Sequence, residues 1–318
     1  MATDMHDLID THAHFVTGDY IAAATEAGHE SPDGMPGWPT WALPTQLAEM
    51  DRRGIRRAVL SISTPGVHFG DDDRAGELAR SVNDEAAAIV RTNPSRFSFF
   101  ASLPVPDVDG AIREVRRTMG ELGAVGVLLE SNAHGQYLGD TALDPLWVEL
   151  DRRHAVVFVH PTSPPGWERT ALGRPRPMLE FMFDSTRSIV DLVLAGVLIR
   201  YPNLRVVVPH AGATLPFLSD RIALFQEVFG TADNAMPWRD AMRHLWFDMA
   251  GTPFPTGVPV LTDIAGTDHL VYGSDSCWTP ARGVDAQIGS IDAAPAPIGA
   301  SNWRALTTRN AVCLLRLS

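Results

Sequence analysis

Asp7-Leu8-Ile9-Asp10-Thr11-His12-Ala13-His14 reads as a strand, and the way it ends decides the fold of this 318-residue chain. An open, doubly wound sheet would follow its first strand with a glycine-rich phosphate turn. Here the strand runs into two histidines and then Phe15-Val16. Seven further apolar or β-branched runs follow, at 58–62, 97–103, 123–129, 155–160, 204–210, 244–249 and 269–275. Between them lie segments with helical spacing, at 45–53, 74–93, 108–121, 144–153, 186–200 and 215–229. Strand–helix alternation predicts a parallel sheet with crossover helices. Eight such units in about 300 residues predict a closed (β/α)8 barrel, an α/β fold of the TIM-barrel kind. One barrel unit is expected over 1–318, with inserted loops at 17–44, which carries Trp38 and Trp41, and at 161–177, which carries Trp167 and three arginines. Long loops beyond barrel strands are where substrate sites are built.

Composition narrows the chemistry. The net charge is -12, which argues against nucleic acid or an anionic membrane surface as partner. No apolar run approaches the ~20 residues of a membrane span. The start, MATDMHDLID, has neither a basic nor an apolar leader region, so no secretory signal is expected. Two cysteines, Cys277 and Cys313, are too few for a disulfide framework or a cysteine-rich metal site and fit a reducing, cytoplasmic setting. All 26 basic residues are arginine. The absence of lysine removes Schiff-base chemistry, a phosphate-loop lysine, and a metal pair bridged by a carboxylated lysine. No dinucleotide or phosphate-loop motif supports a redox or kinase reading.

The remaining signal lies at the strand ends. Side chains at i and i+2 share a strand face, so Asp10, His12 and His14 are expected to face the barrel interior. Neighbouring neutral imidazoles suit a shared divalent cation better than an apolar core. Val156-Val-Phe-Val-His160 ends in a histidine, Val206-Val-Val-Pro-His210 does the same, and Leu270-Val-Tyr-Gly-Ser-Asp275 ends in a carboxylate. Four strands thus deliver His or Asp to one mouth of a barrel, the end where barrel active sites lie. We assign His12, His14, His160 and Asp275 as metal ligands. Three nitrogens and a carboxylate suit Zn²⁺, and Mn²⁺ or Fe²⁺ tolerate the same set. His210 then stands beside the metal as proton carrier, with Asp275 a second group able to pass a proton. His6, His29, His68, His134, His154, His244 and His269 are expected to be structural, although His68 and His134 follow strands closely enough to reach the mouth. Apolar walls for a substrate are expected from Phe15, Trp38, Trp41, Phe183, Phe254 and Trp278.

These motifs resemble the amidohydrolase superfamily, in particular the branch of aminocarboxymuconate semialdehyde decarboxylase and related aromatic acid decarboxylases. The matching elements are Asp10-Thr-His-Ala-His14, Gly126-Val-Leu-Leu129, Phe158-Val-His160-Pro, Tyr201-Pro-Asn-Leu-Arg205 leading to His210-Ala-Gly, Tyr272-Gly-Ser-Asp275 with Trp278, and Arg309-Asn310-Ala. Trp38 to Gly66 and Phe183-Asp-Ser-Thr-Arg187 look closest to 6-methylsalicylate decarboxylase-like members. The resemblance implies a mononuclear metal, usually zinc and sometimes manganese, commonly a homodimer, and non-oxidative loss of CO2. It places His12, His14, His160 and Asp275 at the family's ligands and His210 at its catalytic histidine. The stretch before Met50, Thr45-Gln-Leu-Ala-Glu49, lacks the arginine with which the semialdehyde enzyme grips its substrate's carboxylates. The expected substrate is therefore a small monocarboxylic aromatic acid, a hydroxybenzoate or a 6-methylsalicylate-like compound. The alternative is metal-dependent hydrolysis of a lactone, ester or amide.

Overall fold

The computed structural model describes residues 7–230 and 234–317. His6 lies outside the described residues. The barrel strands are β1 (Leu8–His14), β2 (Ile55–Ser61), β3 (Phe97–Ser102) and β4 (Gly126–Glu130). After a short antiparallel hairpin of β5 (Asn132–Ala133) and β6 (Gln136–Tyr137) come β7 (Val156–His160), β8 (Arg205–Val208), β9 (Trp246–Asp248) and β10 (Leu270–Val271). They form one eight-stranded parallel sheet in the order β1-β2-β3-β4-β7-β8-β9-β10. The sheet closes through two isolated parallel bridges, Asp10 to Tyr272 and Ala13 to Ser276. Helices follow the strands on the outside, among them Leu43–Arg53, Asp72–Thr92, Asp144–Arg152, Glu180–Leu194 and Leu215–Phe229.

Local chemistry sets these elements. Asp71, Asp107 and Asn302 are N-caps, each accepting a hydrogen bond from a first-turn amide. Gly54, at φ 67°, ends the helix before β2 in the left-handed conformation that glycine adopts without strain. The helical stretch expected at 186–200 is displaced: the helix runs Glu180–Leu194, breaks at Gly196 (φ 77°), and resumes for one turn at Val197–Arg200. Strand β2 begins three residues earlier than its apolar run. Arg56 and Arg57 belong to it, and Arg57 is held by hydrogen bonds to the Phe97 carbonyl and Ser98.

Inside the barrel, Ile9, Val59, Phe100, Leu128, Phe158, Val207, Trp246 and Val271 form one buried cluster, a contribution from every barrel strand. This plug is packed core, and it matters for the site. Two residues beyond an inward apolar side chain, the next one also faces inward. Glu130 follows Leu128, His160 follows Phe158, and Asp248 follows Trp246. A polar layer therefore rests on the plug at the C-terminal mouth.

Candidate metal centre

His12 and His14 come from the end of β1, His160 from the end of β7, and Asp275 from the segment just beyond β10. One ligand atom from each lies within 4.8 Å of all the others. The imidazole centroids are 4.8 Å apart for His12 and His14, 5.4 Å for His12 and His160, and 4.9 Å for His14 and His160. Asp275 Oδ1 lies 3.3 Å from His14 Nε2 and 3.5 Å from His12 Nε2.

Partners on the far side of each ring choose the tautomer. His12 Nδ1 lies 2.7 Å from Asp248 Oδ2, His160 Nδ1 2.8 Å from the Pro161 carbonyl, and His14 Nδ1 3.0 Å from Ser61 Oγ and 3.3 Å from its carbonyl. A carboxylate and a carbonyl only accept, so Nδ1 carries the hydrogen and Nε2 keeps its lone pair. The Nε2 atoms of His12 and His14 are buried without a hydrogen-bond partner. Burial, reinforced by the neighbouring histidines, pushes His160 well below the ordinary histidine range, and burial lowers His14 as well. Burial alone would raise Asp275, but the histidine rings crowded around it hold it well below the usual carboxylate range. The acids around His12, Asp248 first, raise it against its burial; with a cation in place of that proton, three converging Nε2 atoms beside an ionised carboxylate are the donor set a divalent metal needs. The residues fit a mononuclear metal.

Asp10 does not join this cluster. Its Oδ1 accepts the amide hydrogens of His12 and Ser274, and so it ties the barrel seam. Burial pushes it up to about 6 against the pull of those bonds. His210 opens a turn after β8, with its ring centroid 5.4 Å from that of His12 and Nε2 3.8 Å from Asp275 Oδ2. His210, His160 and Asp275 line a cavity of about 670 Å³.

The residues expected to wall a substrate divide. Trp278 lines the cavity, its indole N–H donating to Ser63 Oγ at 2.7 Å, and Trp38 packs behind it at 5.7 Å. Phe15 is core, against Trp41 at 5.9 Å. Phe254 packs on Trp303 and is not among the lining residues. Phe183 requires correction: it is 44% exposed on the outer side of its helix, and Phe181 faces the cavity instead. The helix buries Phe181, Asp184, Ser185 and Ser188, and this 3.6-residue phase turns Phe183 outward. Met35, Met178 and Met182 add apolar lining, and among the described residues no arginine lines the cavity.

His68 and His134 do not reach the cluster. They pair with each other at 2.8 Å, and His68 also meets Asp72. Both line a neighbouring cavity of about 540 Å³ over β2 to β4, which shares Asp33 with the first. Asp33 accepts hydrogen bonds from Thr64 and Ser163, joining the loops beyond β1, β2 and β7.

Two inward residues were not anticipated. Asp248 is fully buried, bonded to His12 and to the amides of His210 and Ala250. Glu130 lies 3.6 Å from His160 Nδ1 with both carboxylate oxygens buried and unpartnered, and burial pushes it well above the usual range. Each ends its strand two residues past an inward apolar side chain, the same signal that marks His160.

The family model described as amidohydrolase matches residues 9–317. The 6-methylsalicylic acid decarboxylase of Penicillium expansum is 33% identical over 280 residues, covering 84% of each chain. A crystal structure of an amidohydrolase II superposes with a TM-score of 0.89 at 33% identity, over 98% of this chain and 100% of that one. A dihydroxybenzoic acid decarboxylase from Polaromonas sp. JS666, solved with manganese and 2-nitroresorcinol, has a TM-score of 0.83 at 22% identity over 98% and 97% of the two chains. At that identity the likeness concerns the fold.

Proposed function

The chain belongs to the amidohydrolase family, and on that premise we propose that it is a carboxy-lyase that removes CO2, without oxidation, from a small aromatic acid of the hydroxybenzoate or 6-methylsalicylate kind. The observation that carries this reading is the company the metal cluster keeps. It opens into an apolar cavity with His210 at its wall and no arginine to hold a second acid group. The relative named for 6-methylsalicylic acid supports the same substrate class.

His12, His14, His160 and Asp275 would hold the cation. When bound, it supplies the positive charge that anchors the substrate's carboxylate and ortho oxygen. The chain's own groups do the rest. Phe181, Trp278 and the methionines exclude water and pack the ring. His210 gives a proton to the ring carbon that bears the carboxylate. The electron pair of the breaking carbon–carbon bond becomes the new C–H bond, CO2 departs, and His210 regains its proton from solvent. We take the metal as zinc on the nitrogen-rich donor set, with manganese the alternative.

We read the chain as one barrel unit acting in the cytoplasm; no described helix is long and apolar enough to cross a membrane. We read the assembly as a homodimer. Its support is the exposed apolar face of helix Leu215–Phe229, where Phe217, Val228 and Phe229 are each about two-thirds exposed. Light scattering should give twice the chain mass, and Val228→Glu should halve it.

The test of activity is mass spectrometry of zinc- or manganese-loaded protein with salicylate, 6-methylsalicylate and 2,6-dihydroxybenzoate. Release of CO2 with the matching phenol is expected, 3-methylphenol from 6-methylsalicylate. Hydrolysis of lactones or amides, with no CO2 from any of these acids, overturns the reading.

A further inference from the structure

We propose that Asp248 is a positioning residue with two separable tasks: one carboxylate oxygen fixes the ring of His12 for the metal, and the other fixes the backbone that carries His210. The inference rests on the reading of His12 as ligand and His210 as proton donor.

The first task follows from hydrogen-bond chemistry. Asp248 Oδ2 is 2.7 Å from His12 Nδ1, and neither side chain has any solvent exposure. A carboxylate accepts and never donates, so the hydrogen stays on Nδ1 and the Nε2 lone pair faces the cluster. His14 and His160 lean on neutral acceptors, Ser61 and the Pro161 carbonyl. Among the three ligand histidines, His12 is the one whose ring is oriented by an acid within hydrogen-bond distance.

The second task follows from the backbone. Residues 210 to 213 run through four successive positive φ angles, 56°, 53°, 77° and 55°. Three of these residues are not glycine, and such a turn needs outside ties to persist. The amide of His210 donates to Asp248 Oδ1 at 2.8 Å, and the amide of Ala250 donates to the same oxygen at 2.9 Å. The turn after Asp248 also shapes the space beside the imidazole, since a Cβ on Gly251 would lie 4.0 Å from His210 Cδ2.

Substitution can divide the tasks. Asp248→Asn keeps an oxygen for the two amides but sets an NH2 group against His12 Nδ1. The ring is then driven to the tautomer with its hydrogen on Nε2, where the lone pair is required. Asp248→Ala removes both supports. Zinc affinity is read by chelator competition, ligand geometry by the absorption of the Co²⁺-loaded protein, and kcat at saturating metal on the acid that the unmodified protein decarboxylates. Asp248→Asn should fold normally by circular dichroism, bind zinc 10- to 100-fold more weakly, and change the Co²⁺ spectrum. Asp248→Ala should lose affinity too, and at saturating metal its kcat should fall at least tenfold further than that of Asp248→Asn. Should Asp248→Ala not fold, Asp248→Ser carries the same expectation. Unchanged zinc affinity in Asp248→Asn overturns the first task; equal kcat in the two variants at saturating metal overturns the second. Zinc affinity and the Co²⁺ spectrum need no substrate, so they are judged apart from the decarboxylase reading.

Discussion

A histidine that gives a proton must be free of the metal, and the proposed roles of His210 and of the ligand histidines differ on that ground. The ligand rings have acceptors on Nδ1, whereas His210 Nδ1 is buried without a partner and its Nε2 faces Asp275 and the cavity. His210→Gln should therefore retain bound zinc, measured by elemental analysis, while kcat falls on the order of 10²- to 10⁴-fold, the usual contribution of a positioned acid. Loss of zinc together with activity would make His210 a ligand. A second residue-scale consequence lies outside the site. Burial alone would raise Glu149, but hydrogen bonds from Arg152, Arg153 and Arg116 bring it to about 2. Its folded value lies below its unfolded value, so the stabilisation is complete above about pH 5 and fades as pH falls toward 2. Glu149→Gln should be less stable than the parent by about 1–3 kcal/mol at neutral pH. The two denaturant midpoints should converge over that acid window; a constant gap would show that the loss is not electrostatic. At this scale the histidines and Asp275 were readable because residues poorly suited to an apolar core ended apolar runs. Asp248 drew no notice because it lies inside the run at 244–249 and does not end it. Only the inward register of Trp246 places it at the mouth.

Strands and helices were legible where their patterns are local. The runs at 97–103 and 155–160 lie within a residue or two of β3 and β7, since a fully buried strand writes itself as continuous β-branched and aromatic residues. The β5–β6 hairpin left no such trace, being two residues long on each side. Nor does the sequence show why β4 must begin with glycine. Gly126 pairs with Val156 on β7, and a Cβ there would meet the Val156 carbonyl oxygen at 2.3 Å. No rotamer relieves a clash with backbone, so β4 and β7 would have to part. These two strands carry Glu130 and His160 at their paired ends. Gly126→Ala should cost about 1–3 kcal/mol or more in denaturant unfolding, with metal affinity falling as His160 shifts. A variant as stable as the parent would mean that the strands can slide without loss.

For the whole molecule, the decisive feature is where the proposed metal ligands lie relative to the barrel seam. Seven strand pairs are joined by ladders, that of β1 and β2 interrupted by two register shifts, whereas β1 meets the chain at and beyond β10 through two isolated bridges, hydrogen bonds from the amides of Thr11, His14 and Asp275, and Asp10 on the amide of Ser274. His12 and His14 stand on one side of that seam and Asp275 on the other, while His160 reaches in from the opposite wall. A cation held by all four would join the first and last strands across the closing line of the barrel. Binding to the folded state alone adds RT ln(1 + [M]/Kd), about 4 kcal/mol at a thousandfold excess over Kd. For a chain of this size that corresponds to a shift in Tm of roughly 5–10 °C. Treatment with EDTA should lower Tm by that amount and added zinc should restore it. His14→Ala should start near the lower value and respond weakly to either. Hydrogen exchange gives the sharper reading: amides at the seam, such as Thr11 and Asp275, which donate to the Tyr272 and His12 carbonyls, should lose protection on chelation before those of β3. If Tm fell while seam and far wall lost protection equally, the metal would stabilise the barrel as a body, and the stapling argument would fail.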